Sequence, residues 1–299
     1  MSAIDGLRRN VADAFRLFIV PALLAVLGWT LAFRLMRFWS RVAPGAHREA
    51  DPSWTVAETY LDGADASRWK ADLRLAIWVE RVDTFLTMLR SARWWQRQVD
   101  IDGAFPPAGA PYLLLTYHWG TGGWIWALLK THGIDASFLL RRPVALDFGT
   151  SRVAWWYVRL RSWVLPRIGS RGPIYTGESS AQLLDAWTRG ESVLGMLDVP
   201  AGDARKTLPV QLLGRRARFP YGLLQLAASA RVRVVLLSCG FDFASGRRVL
   251  HIETLPDGLD VDGMLARYAA HLDARLREAP AAWHIWRDAP TIFVDAGTQ

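Results

Sequence analysis

The amino-acid sequence predicts an α/β fold: a mixed, mostly parallel sheet flanked by helices, with a hydrophobic helix at its N-terminal end. Three observations carry this. With 299 residues, 51% of them hydrophobic, the chain has the material for one large core. From Tyr112 onward, short apolar runs alternate with helix-period segments, the pattern of parallel strands joined by crossover helices. Ahead of both lies a stretch, residues 17–33, without a charged side chain.

As one helix rising about 1.5 Å per residue, that stretch would reach roughly 25 Å, slightly short of a bilayer core. Pro21 and Gly28 interrupt it, and arginines flank it: Arg8, Arg9 and Arg16 before, Arg34, Arg37 and Arg41 after. No small-residue cleavage site follows Phe33, so it reads as an uncleaved anchor, either a transmembrane helix or a shallow interfacial one. The expected organisation is an anchoring unit, 1–42, and one α/β unit, 43–299. Residues 44–53 read as a linker, and 67–95 set Leu73, Ile77, Val82, Phe85 and Leu89 at helical spacing.

Residues 100–111 hold two glycines and three prolines and read as a loop. Next come a buried strand over 112–117, a helix over 124–130 closed by Gly133, a strand over 136–140 and a helix over 151–163. A short strand at 174–175, a helix over 180–188 ended by Gly190 and a strand over 193–197 continue the alternation. A basic loop is expected over 204–218, then a helix over 221–230 and a strand over 232–239. An antiparallel pair hinged at Gly246 and a helix over 262–277 close the chain.

The formal net charge of +8 comes from arginine, because lysine occurs only at Lys70, Lys130 and Lys206. Nucleic acid is one partner for such a balance. The 16 tryptophans and a positive mean hydropathy of +0.09 favour an anionic membrane surface instead. The lone Cys239 sits in an apolar run, which excludes a disulfide framework and reads as a core residue.

Residues 111–129 contain no charged residue, yet they hold His118, followed by Trp119, Gly120, Thr121, Gly122 and Gly123. A histidine at a strand end in apolar surroundings suits a neutral base, and in open α/β sheets ligands gather at the carboxyl ends of strands. The plain alternative is a core histidine bonded to a carbonyl; its position and the glycines after it favour the base. Rival motifs fail. Gly120 and Gly122 start a dinucleotide loop, but Ile125 stands where its third glycine belongs. No Gly-Lys-Ser/Thr and no G-x-S-x-G occurs, and His47, His132, His251, His271 and His284 lack metal-ligand spacing. Neither metal nor cofactor is expected.

The order of apolar N-terminal helix, strand, His118-Trp119-Gly120 and helix resembles the lysophospholipid acyltransferase superfamily, in its lipid A late-acyltransferase-like (lauroyl/myristoyl acyltransferase) branch. Residues 138–143, ending in Arg142-Pro143, resemble that family's strand with a phosphate-contacting arginine. This makes Arg142, and after it Arg141, candidate acceptor or phosphate contacts, with Arg218 of the basic loop a third. Residues 190–198 resemble a strand whose terminal acid, Asp198, lies near the active site. Leu213-Gly214, the block 219–222 and the closing Pro280, Trp283, Trp286 and Arg287 resemble later motifs. The resemblance implies a glycerolphosphate acyltransferase-like fold, and His118 taking a proton from an acceptor hydroxyl that attacks an acyl thioester. The family's orienting acid, five residues after the histidine, is replaced by Gly123.

Asp198 is the candidate to fix the imidazole in its stead. Backbone N–H groups of Gly120, Thr121, Gly122 and Gly123, with the Thr121 hydroxyl, are candidate oxyanion donors. The expected activity is transfer of a fatty or aryl acyl group from an acyl carrier protein or coenzyme A thioester to a hydroxyl of a membrane lipid or lipid-like acceptor. Its expected setting is the cytoplasmic face of a bacterial inner membrane, with no nucleic acid involved. The competing expectation is an inactive family member that binds lipid or assembles a pathway.

Overall fold

The computed structural model describes residues 3–42, 50–149, 151–168, 170–177, 179–200 and 206–294. A seven-stranded sheet forms its centre, in the order β1-β9-β8-β2-β5-β3-β4. Its strands are β1 (Val99–Asp102), β2 (Tyr112–Thr116), β3 (Ala136–Leu140), β4 (Ser170–Tyr175) and β5 (Ser192–Met196), with β8 (Arg233–Phe241) and β9 (Arg248–Thr254). β2, β3, β4, β5 and β8 run one way; β1 and β9 run the other, β8 and β9 joining as an antiparallel hairpin. A separate antiparallel pair comprises β6 (Thr207–Leu212) and β7 (Arg215–Pro220).

Alternation along β2 places Leu113 and Leu115 in one core and Tyr112 and Leu114 in the other. The first core is closed by α9 (Ser179–Thr188), α10 (Gly222–Ser229), α11 (Val261–Glu278) and the segment with Trp283 and Trp286. On the opposite face lie α5 (Ala66–Leu89), α6 (Ala92–Gln98) and α7 (Ile125–Thr131). Covered on both faces, β2 is apolar throughout, which is why its five residues carry no alternation in polarity. α8 (Arg152–Ile168) packs on β4 and α5.

Several expectations change. Residues 17–33 do not form one helix: α1 (Ala3–Ala14), a π-turn (Phe15–Ile19) and α2 (Val20–Val26) end where Leu27 turns extended, and α3 (Trp29–Val42) starts anew. α2 and α3 pack on α5, so half of each is committed to the protein. No helix among the described residues is long and apolar enough to cross a membrane. The outer faces stay apolar and exposed, with Ile4, Leu7, Val11, Phe15, Leu23 and Val26 along α1, the π-turn and α2 and Leu31, Leu35, Phe38 and Val42 along α3.

Of the expected linker, residues 44–49 lie outside the described residues, and 50–53 belong to α4 (Ala50–Ala57). The loop expected from Asp100 begins instead with β1, whose mostly exposed Val-Asp-Ile-Asp has no apolar signature. The expected basic loop is the β6–β7 hairpin from 207 on; 204 and 205 lie outside the described residues. Cys239 is a core residue whose thiol is pushed up to about 12 by burial.

Candidate active site

β2 and β5 are parallel neighbours in the register Thr116↔Met196. Two residues beyond each partner are His118 and Asp198, so the register itself delivers the two side chains to one point on the carboxyl edge of the sheet. The His118 Nδ1 lies 3.2 Å from Asp198 Oδ1 and 3.1 Å from the Asp198 carbonyl, and the His118 N–H donates to Oδ2 at 2.8 Å. With both acceptors on Nδ1, the proton resides there and Nε2 carries the lone pair. The imidazole is about a third exposed, and Nε2 has no partner among the described residues.

Asp198 is fully buried and held from two further sides. Trp283 Nε1 donates to Oδ2 at 2.9 Å, and the Tyr268 hydroxyl of α11 reaches Oδ1 at 3.2 Å. That hydroxyl also accepts the N–H groups of Leu197 and Asp198 and lies 2.9 Å from the Thr116 carbonyl. Burial, then the Asp198 charge, push the Tyr268 phenol well above its usual range, keeping it a donor. Burial pulls the His118 pKa down, but the charge and hydrogen bonds of Asp198 outweigh it and leave it raised.

Around the ring stand groups that no local sequence signal announced. His284 donates its N–H to the His118 carbonyl at 2.8 Å, and its Nε2 lies 2.6 Å from the Gly120 carbonyl. Glu80 of α5 pairs with Arg161 of α8 at 2.9 Å and acts electrostatically on both His118 and His284. Despite burial, Arg161 and then His284 hold the Glu80 carboxyl below the usual range. Arg161, over 40 residues from the histidine, enters this network through its ion pair with Glu80, and Arg81 acts on the same carboxyl. Helical spacing marked α5 as an element but not Glu80 as a site residue.

The glycine loop divides. Gly120 adopts φ +75°, where a side chain would collide with the Cys239 carbonyl; its N–H donates to Ala282 O and that of Thr121 to Cys239 O. Both are therefore consumed in fixing the loop, and neither serves as an oxyanion donor. The Thr121 hydroxyl also departs from expectation: it is buried, accepts from Trp124 Nε1 at 3.4 Å and helps lower the Asp83 pKa against burial. The N–H groups of Gly122 and Gly123 keep no partner among the described residues. At Gly123 a Cβ would meet open space.

The remaining candidates lie outside the dyad. Arg141 pairs with Asp147 at 3.1 Å, and Arg142 stacks over the Tyr175 ring at 4.5 Å, both at the carboxyl end of β3, two strands from β2. Arg218, on the two-stranded sheet, is spent on the Thr207 hydroxyl and carbonyl. A cleft of about 870 Å³ between the β6–β7 hairpin and α11 includes neither His118 nor Asp198 in its lining. No family model and no curated protein matches the chain.

Proposed function

We propose that the protein is an acyltransferase that moves a fatty or aryl acyl group from an acyl carrier protein or coenzyme A thioester to a hydroxyl of a membrane lipid or lipid-like acceptor. One observation carries this reading: His118 presents an unpartnered Nε2 at the carboxyl edge of the sheet while Asp198 holds Nδ1. On this reading Nε2 takes the acceptor proton as the hydroxyl oxygen attacks the thioester carbonyl. The tetrahedral oxyanion leans on the N–H groups of Gly122 and Gly123, then collapses; the carbon–sulfur bond breaks and the imidazolium returns its proton to the thiolate. No metal or cofactor enters, and the fold is read as glycerolphosphate acyltransferase-like.

The absence of an acid at position 123 suits a site in which Asp198 already fills the orienting role. The apolar outer faces of α1, α2 and α3 support a membrane-borne acceptor, and a bacterial inner membrane, cytoplasmic side, is the proposed location. The test is thiol release from acyl carrier protein and coenzyme A thioesters by purified protein supplied with membrane lipid extract. His118→Ala is expected to lower turnover about 100- to 10,000-fold with an unchanged melting curve. Lipid binding without thiol release from any thioester would leave the inactive, lipid-binding reading in its place.

A further inference from the structure

A cleft of about 560 Å³ opens between α3, the first turns of α5 and the β8–β9 turn. Four arginines line it, Arg37, Arg41, Arg68 and Arg74, against two carboxylates, Asp65 and Asp72. Asp65 is already committed to capping α5, accepting the N–H groups of Ser67 and Arg68, and Asp72 faces Arg68 at 3.8 Å. Among the described residues Arg37, Arg41 and Arg74 pair with no carboxylate within 4 Å. Arg74 is 6% exposed and bonds the Ser40 carbonyl through Nη1, while its buried Nε has no partner. A buried guanidinium with an unmet donor, beside three more cations, is a receptor for an oxyanion.

The arginine helix identifies which one. Leu31, Leu35, Phe38 and Val42 form the exposed stripe of α3, whereas Arg34, Arg37 and Arg41 fall about a third of a turn round the same helix. A helix lying in a bilayer interface with that stripe down sets Arg37 and Arg41 at phosphate depth. The β8–β9 turn that closes the cleft lies on the sheet edge that carries His118, one strand away.

We infer that this cleft binds the phosphate of a single anionic phospholipid headgroup, so that α1, α2 and α3 seat the protein on one leaflet without crossing it. The site does not depend on acyl transfer, and its test separates the two. Dihexanoyl phosphatidylglycerol, kept below its micelle concentration, is titrated into the full chain by calorimetry, so that no charged surface contributes. Saturable one-to-one binding is expected, unchanged in His118→Ala. Arg41→Gln with Arg68→Gln, both exposed side chains, is expected to weaken it roughly ten-fold or more. Arg8→Gln with Arg9→Gln, equal in charge but outside the cleft, is expected to leave it intact. An equal loss in both double variants, or no saturable binding, overturns the site. Displacement of the lipid by coenzyme A at equal concentration would assign the cleft to a donor phosphate and overturn the headgroup reading.

Discussion

His118 and Asp198 are 80 residues apart, and only a parallel pairing in one register makes them neighbours. Their chemistry has a pH signature. Burial of the ring is opposed and exceeded by the Asp198 charge and hydrogen bonds, so the His118 pKa lies above the usual value of about 6.5. In the proposed acyl transfer the base must be neutral to work, so kcat/KM is expected to rise with pH through an apparent pKa on the high side of that value. Asp198→Asn keeps the side-chain volume and removes the charge, leaving burial opposed by the residue-198 carbonyl and the Glu80 charge without its largest counterweight. The rising limb is then expected to move to lower pH while the plateau falls about 100- to 10,000-fold. A full pH profile of kcat/KM for both proteins checks this; a limb that stays in place would mean that Asp198 does not tune the base. His118 was legible in the sequence at the end of an apolar run, and Asp198 through the family resemblance of residues 190–198. Of the residues that hold Asp198, Trp283 was marked by the closing motif but not as its partner, and Tyr268 reads as one more core aromatic of α11.

At the scale of elements, two carboxylates of α5 each meet an arginine from another element. Glu80 meets Arg161, and Asp83 meets Arg248 of β9 in a fully buried pair. Arg248 is stacked against Trp29 of α3 at 3.8 Å and Trp95 of α6 at 4.9 Å, so this one cation ties β9, α3, α5 and α6 together. The Thr121 hydroxyl acts on the Asp83 carboxyl, which couples the pair to the loop after His118. Asp83→Asn strands a buried guanidinium and is expected to cost about 3–5 kcal/mol in urea unfolding. Asp83→Leu with Arg248→Met is expected to recover most of that; a double variant as unstable as the single one would show that the pair is needed for packing.

Element existence was readable wherever apolar residues form a short run, as in β2, β3, β5 and β8, or recur at helical spacing, as in α11. The failures have local causes. β1 buries only Val99 of its four residues. In the β6–β7 hairpin Leu213 and Gly214 both take positive φ (53° and 74°), the geometry of a two-residue turn, with Leu where Asn or Asp is commoner. Arg216 and Arg218 alternate with buried Ala217 and Phe219, a period of two that the arginines disguised as a basic loop. Residues 17–33 carry no charge because their inner faces meet α5, while their outer faces stay apolar.

For the molecule as a whole, the two cores are joined through the sheet, and titratable groups lie inside that assembly as well as at its site. His271 of α11 has Nδ1 2.9 Å from the Tyr117 hydroxyl, just beyond β2. Burial first, then Arg275, His251 and Arg267, lower its pKa to about 4, with Asp102 opposing weakly. An unfolded histidine titrates near 6.5, so between that value and 4 the unfolded chain binds the extra proton. This contribution is complete above about pH 6.5 and is lost as the pH falls towards 4, by up to roughly 3 kcal/mol. His118 has the opposite sign: its raised pKa stabilises the fold at low pH and that contribution fades as the pH rises through the folded value. Bulk stability against pH therefore mixes the two, and the difference between wild type and His271→Gln isolates one. Urea midpoints measured from about pH 7.5 down to 4.5 are expected to fall less steeply in the variant. Parallel curves would show that His271 titrates alike in the folded and the unfolded chain, and that the contact between α11 and the end of β2 does not depend on its neutral form.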